Sequence, residues 1–133
     1  MLLYSIKRIT GSFIIIIFLL AGCNDDDPVS PPPSEDVSFS EHVLPIFEQH
    51  GCTGCHGGAL QENDLRVDSV DELLEGGVSG PAVVPGDADG SLLIQQMSPN
   101  PPLGNRMPLG MSPVPDEQQN TIRTWINEGA EDN

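Results

Sequence analysis

The sequence predicts an all-α domain of three to five helices joined by long loops. Three observations carry this. Apolar residues recur at helical spacing in four short windows, each with a capping residue ahead and three of them with a glycine behind. No stretch alternates apolar and polar residues for any length, and no internal repeat is found. Residues 98–115 hold six prolines and two glycines, a composition that neither helix nor strand tolerates. At 133 residues the chain has room for one domain and hardly more.

Residues 1–22 read as an address. Lys7 and Arg8 precede an apolar run, Gly11 to Ala21, of roughly a dozen residues, too short to span about 30 Å of hydrocarbon comfortably. Leu20-Ala21-Gly22-Cys23 follows and resembles the lipobox of bacterial lipoproteins, in which cleavage precedes a cysteine that then carries lipid. The resemblance implies a signal peptide over 1–22 and lipidation of Cys23. It also implies a protein outside the cytoplasm, anchored to a bacterial membrane on its periplasmic side or at the cell surface. Several acyl chains on one residue meet the rule that stable anchoring needs more than one. An uncut membrane anchor, with Cys23 a bystander, is the alternative.

Residues 23–36 are acidic and proline-rich, cannot bury apolar area, and form a tether. The folded domain spans 37–133. Twenty acidic residues stand against five basic ones, a net charge of −15. Phosphate binding needs clustered Lys and Arg, so nucleic acid is excluded as a partner. Without residues 1–22 the chain keeps three arginines against 20 acids, a charge of −17, and no lysine. Its aromatics are then Phe39, Phe47 and Trp125 alone. So thin a core calls for a large apolar cofactor to fill it.

Within the domain, Ser38 or Ser40 caps a first helix carrying Val43, Leu44, Ile46 and Phe47, with Pro45 in its first turn and Gly51 as its stop. Ser69-x-x-Glu72 reads as a capping box ahead of Leu73 and Leu74, and Gly76-Gly77 ends that helix. Asp89 or Ser91 starts a third through Leu92, Leu93 and Ile94. Ser112 or Val114 caps the last, whose apolar stripe is Ile122, Trp125 and Ile126 before Gly129.

Cys52-Thr53-Gly54-Cys55-His56 carries the chemistry. Two thiols one helical turn apart reach the two vinyl groups on one edge of a porphyrin, and the next residue sets its imidazole under the iron. At this composition a chance match is expected roughly 0.0015 times. A thioredoxin-like pair would need a βαβ context that is absent. A zinc site would need a fourth ligand, with only His42 and His50 left to supply one. A plain disulfide would leave His56 unexplained.

From Phe39 to Ala130 the chain resembles the monohaem class I cytochrome c domain, and more narrowly the short domains of planctomycete-type cytochrome c. The matching pieces are Val43-Leu44-Pro45-Ile46-Phe47, the Cys52–His56 motif with Gly57, and Leu73-Leu74-Glu75-Gly76-Gly77. Val84-Pro85-Gly86, Ser91-Leu92-Leu93, Arg106-Met107-Pro108 and Trp125-Ile126 with Gly129-Ala130 complete them. The resemblance implies one covalent haem c on Cys52 and Cys55, with His56 as one axial iron ligand. It places the other at Met107, in the loop between the last two helices; Met111 is the runner-up, and Met97, at helical spacing, reads as core. It further implies that the Pro81 carbonyl holds the second ring nitrogen of His56. His42 and His50 read as surface residues.

Iron with His and Met ligands has no open site and changes oxidation state with little movement, which suits electron transfer. The leading reading is therefore a lipid-tethered electron carrier, not an enzyme. A haem-based sensor, or a haem subunit of a larger oxidoreductase complex, is the alternative. The acidic surface calls for a redox partner with a basic docking face.

Overall fold

The structure, a computed structural model, describes residues 36–133. The leader over 1–22, Cys23 and the tether up to residue 35 lie outside the described residues. Five α-helices are formed: α1 (Leu44–Gln49), α2 (Cys52–Cys55), α3 (Val70–Glu75), α4 (Leu92–Met97) and α5 (Asp116–Asn127). Two short strands, β1 (His56–Gly57) and β2 (Leu60–Gln61), pair antiparallel, with His56 opposite Gln61.

The all-α expectation is thereby corrected. Only 43% of the described residues are helical, and a small sheet begins on His56, the last residue of the Cys-x-x-Cys-His motif. Two-residue strands are too short to leave any alternation in the sequence. Their pairing comes from the tight turn through Gly58 and Ala59, at a place where Gly57 packs so closely that a Cβ would collide with the Thr53 carbonyl oxygen.

The first helix follows its sequence signals. The Ser38 hydroxyl accepts the Glu41 N–H at 3.3 Å, opening a wide helical turn over Phe39–Val43 that runs into α1. Pro45 falls in the first turn of α1, where its missing N–H costs nothing, and Gly51 turns the chain at φ +69°. In α3 only half of the capping box is made. Ser69 Oγ accepts the Glu72 N–H, while the Glu72 carboxylate turns away to take Arg66 Nη1 at 2.7 Å.

Two other caps differ from expectation. Ser91 precedes α4 but is fully buried and spends its hydroxyl on the loop before it, donating to the Asp87 carbonyl at 2.8 Å and accepting the Val84 N–H at 2.9 Å. The last helix begins at Asp116 after Pro115, with no side-chain cap from Ser112 or Val114; Asp116 and Glu117 instead place negative charge in its first turn.

The core gathers where α5 crosses the first helical segment. Trp125 lies 5.3 Å from Phe39 between ring centroids, and Phe39 meets Phe47 edge-on at 6.4 Å. Ile122 and Ile126 flank Trp125 at 0% exposure, and the Trp125 indole N–H donates to the Glu131 carbonyl at 2.9 Å. The 82–91 segment ties the helices together. Ala82 N–H bonds the Leu73 carbonyl, Leu93 N–H bonds the Ala82 carbonyl, and Gly86 N–H bonds the Ile126 carbonyl.

Candidate functional site

A cavity of about 490 Å³ opens between α2, α4 and the two loops 56–65 and 98–115. Cys52, Cys55, His56, Met107 and Met111 all line it, together with Phe47, Leu92, Leu93 and Met97. Its walls are mostly apolar. Six large apolar side chains stand exposed among the described residues, and four of them are on this cavity: Val78, Leu103, Leu109 and Met111. Exposed apolar side chains gathered around one cavity mark a surface awaiting a ligand rather than scattered surface residues.

The thiols arise from local geometry. Gly51 in the left-handed region starts the single turn of α2, which places Cys52 and Cys55 at either end. They are not joined to each other as a disulfide. Cys52 is half-buried, and burial pushes its thiol above the ordinary value; Cys55 is exposed.

His56 is held three ways. Its backbone pairs with Gln61, its carbonyl accepts the Val67 N–H at 2.8 Å, and its ring Nδ1 lies 3.1 Å from the Glu62 carbonyl oxygen. A carbonyl only accepts, so Nδ1 carries the proton and Nε2 keeps its lone pair for a metal. The sequence reading gave this acceptor role to Pro81. Pro81 is exposed and does not line the cavity, although its neighbours Gly80 and Ala82 do. An acceptor six residues away, brought back by a hairpin, takes the bond in place of one 25 residues away.

Three thioethers reach the cavity. Met97 is buried in α4 and belongs to the core as well. Met107 is half-buried, its N–H donates to the Gln96 carbonyl at 2.9 Å, and the next residue, Pro108, is buried. Met111 is 54% exposed and lays its sulfur over Gly51. Gln96, which sequence reading missed, organises this loop. Its side-chain amide donates to the Leu103 and Asn105 carbonyls and its oxygen accepts the Leu103 N–H. His50 also lines the cavity, half-buried, with Nε2 2.6 Å from Gln118 Oε1; His42 is exposed and accepts the Ser38 N–H on Nδ1.

These residues fit a covalently held haem. The donor set is two thiols one turn apart, an imidazole with Nε2 free, and thioethers on the same apolar cavity. Among the described residues no three His, Cys, Asp or Glu side chains come together as a site for a bare ion. An iron already held by a macrocycle needs only two axial donors.

Residues 52–108 match the family model described as planctomycete cytochrome C. No curated protein matches the chain. Among solved structures, Kuenenia stuttgartiensis hydrazine synthase is similar at 23% identity and a TM-score of 0.46. That likeness covers 71% of this chain and 16% of the length of the other.

Proposed function

We propose, for a chain whose residues 52–108 match the planctomycete cytochrome C model, electron transfer through one covalent haem c. His56 and Met107 would ligate its iron, and Cys23 tethers the protein to a membrane by lipid. The observation that carries this reading is the convergence of Cys52, Cys55, His56 and Met107 on one apolar cavity.

Each residue has a part. Cys52 and Cys55 hold the macrocycle edge by thioether bonds, so the cofactor cannot dissociate. Glu62 fixes the His56 tautomer and raises the basicity of the ring. Met107 offers a soft neutral donor, and Gln96 keeps its loop in place. When bound, the iron supplies a one-electron ferric–ferrous couple. Apolar side chains around it exclude water and keep the reorganisation on electron transfer small, and two protein ligands leave no position for substrate. Outside the cavity the domain is strongly acidic, which supports a redox partner that presents Arg or Lys around its own centre.

Met107→Ala tests the ligand assignment. The weak far-red ferric band of a methionine–iron bond should vanish while covalent haem remains; a band that persists, or that is lost instead in Met111→Ala, rejects Met107. The partner assignment rests on salt. Electron-transfer rates with a basic donor should fall steeply as the Debye length shrinks from about 10 Å at 0.1 M to about 3 Å at 1 M, and a flat response rejects it. Cys23→Ser should move the protein from the membrane to the soluble fraction.

A further inference from the structure

We infer that Asn63 and Gly77 are positioning residues for His56: together they clamp the Glu62 carbonyl onto the imidazole and so set how strongly the ring donates to a bound iron. The inference rests on the haem reading above.

The direction of the Glu62 carbonyl depends on the peptide that follows it. Asn63 sits at φ +60°, ψ +30°, and Asp64 follows at φ +56°, two successive left-handed residues. Asparagine and aspartate tolerate this region; a β-branched residue does not. The Glu62 carbonyl also accepts the Leu65 N–H at 3.4 Å, which closes the turn around it.

This turn does not stand alone. The Asn63 carbonyl accepts the Val78 N–H at 2.9 Å. Gly77 lies against that same oxygen, so closely that a Cβ there would collide with it and come within 3.1 Å of Leu65 Cβ. Gly77 itself has no left-handed backbone, so close approach, not conformation, demands glycine at this position. The Gly77–Gly80 turn is stiff, with Gly77 N–H to the Gly80 carbonyl at 3.1 Å and Gly80 N–H to the Gly77 carbonyl at 2.9 Å. A turn fourteen residues along the chain is thus pressed onto the peptide that aims the acceptor of His56. A shorter Nδ1–H···O bond gives the ring more anionic character and favours ferric iron; a loosened one favours ferrous.

The test uses the haem-loaded protein and three variants: Asn63→Val, Asn63→Gly and Gly77→Ala. Two quantities are read, the ferrous-to-ferric ratio at a fixed solution poise and the exchange rate of the His56 ring N–H in the ferrous form by NMR. Asn63→Val and Gly77→Ala should speed exchange and raise the ferrous share. Asn63→Gly, which keeps the left-handed turn, should match wild type in both. If Gly77→Ala does not fold, the Val and Gly pair at position 63 decides. Wild-type exchange and ratio in Asn63→Val overturn the clamp, even if its melting temperature falls. Haem staining of the same denatured samples separates the two levels. Without covalent haem in wild type the underlying reading fails and the clamp with it, whereas haem present with unmoved readouts rejects the clamp alone.

Discussion

The frame where Phe39–Val43 and α1 meet α5 and the loop wall over 98–115 are built from one chain by opposite means. In the frame, Phe39, Phe47, Ile122, Trp125 and Ile126 are all at 3% exposure or less and fill one another's space. In the wall, Leu103, Leu109 and Met111 are 49–63% exposed and line a cavity, and the loop is held largely through the side chain of Gln96. The frame closes on itself; the wall is shaped for something else to close it. The need for a cofactor to complete the core is therefore an expectation about the wall, not the frame.

Trp125→Ala is the harshest test of that division. It should cost about 3–5 kcal/mol, the range for emptying a buried tryptophan site, in haem-free and haem-loaded protein alike, read by denaturant unfolding. A loss confined to the loaded form would mean that the frame too depends on the cofactor.

Leu109→Ser probes the other side. In the haem-free form it should change stability by less than about 0.5 kcal/mol, as surface substitutions do, because Leu109 is 63% exposed there. In the loaded form it should destabilise more, since the side chain then covers apolar cofactor. Equal small effects in both forms would show that the wall does not close over the haem.

How much of this was readable beforehand depends on distance along the chain. The Cys52–His56 motif was legible because porphyrin attachment forces its groups to be neighbours. The α5 stripe was legible because Ile122, Trp125 and Ile126 repeat at helical spacing. The Glu62 acceptor was not, since a backbone carbonyl has no residue identity and the hairpin that returns it is only two residues deep on each side. Gln96 was hidden likewise, because a polar residue on a short helix signals nothing until the loop it ties is placed. The choice among methionines stays with chemistry in both readings, since Met97, Met107 and Met111 all reach the cavity.

A smaller effect comes from the Arg66 link between the His56 loop and α3. Hydrogen bonds from Arg66 hold the Asp68 carboxyl below its ordinary range, at 2.9 Å. A carboxyl whose folded value is depressed contributes stability in full above its unfolded value, about 3.9, and loses it as pH falls through the lower folded value. The melting temperature should therefore decline slightly below about pH 4, and Asp68→Asn should flatten that part of the decline. The pair is partly exposed and screened by solvent, so the change is the smallest of the set. An unaltered acid limb in the variant would remove Asp68 from the account.

The central claim is that Cys52 and Cys55 carry haem. Mass spectrometry of a proteolytic digest of the protein, made in a host that attaches haem outside its cytoplasm, tests it most directly. The peptide containing Cys52–His56 should carry the mass of one haem, and Cys52→Ala with Cys55→Ala should abolish it. A peptide that carries no haem, with its two cysteines freely alkylated or joined to each other, would contradict the account.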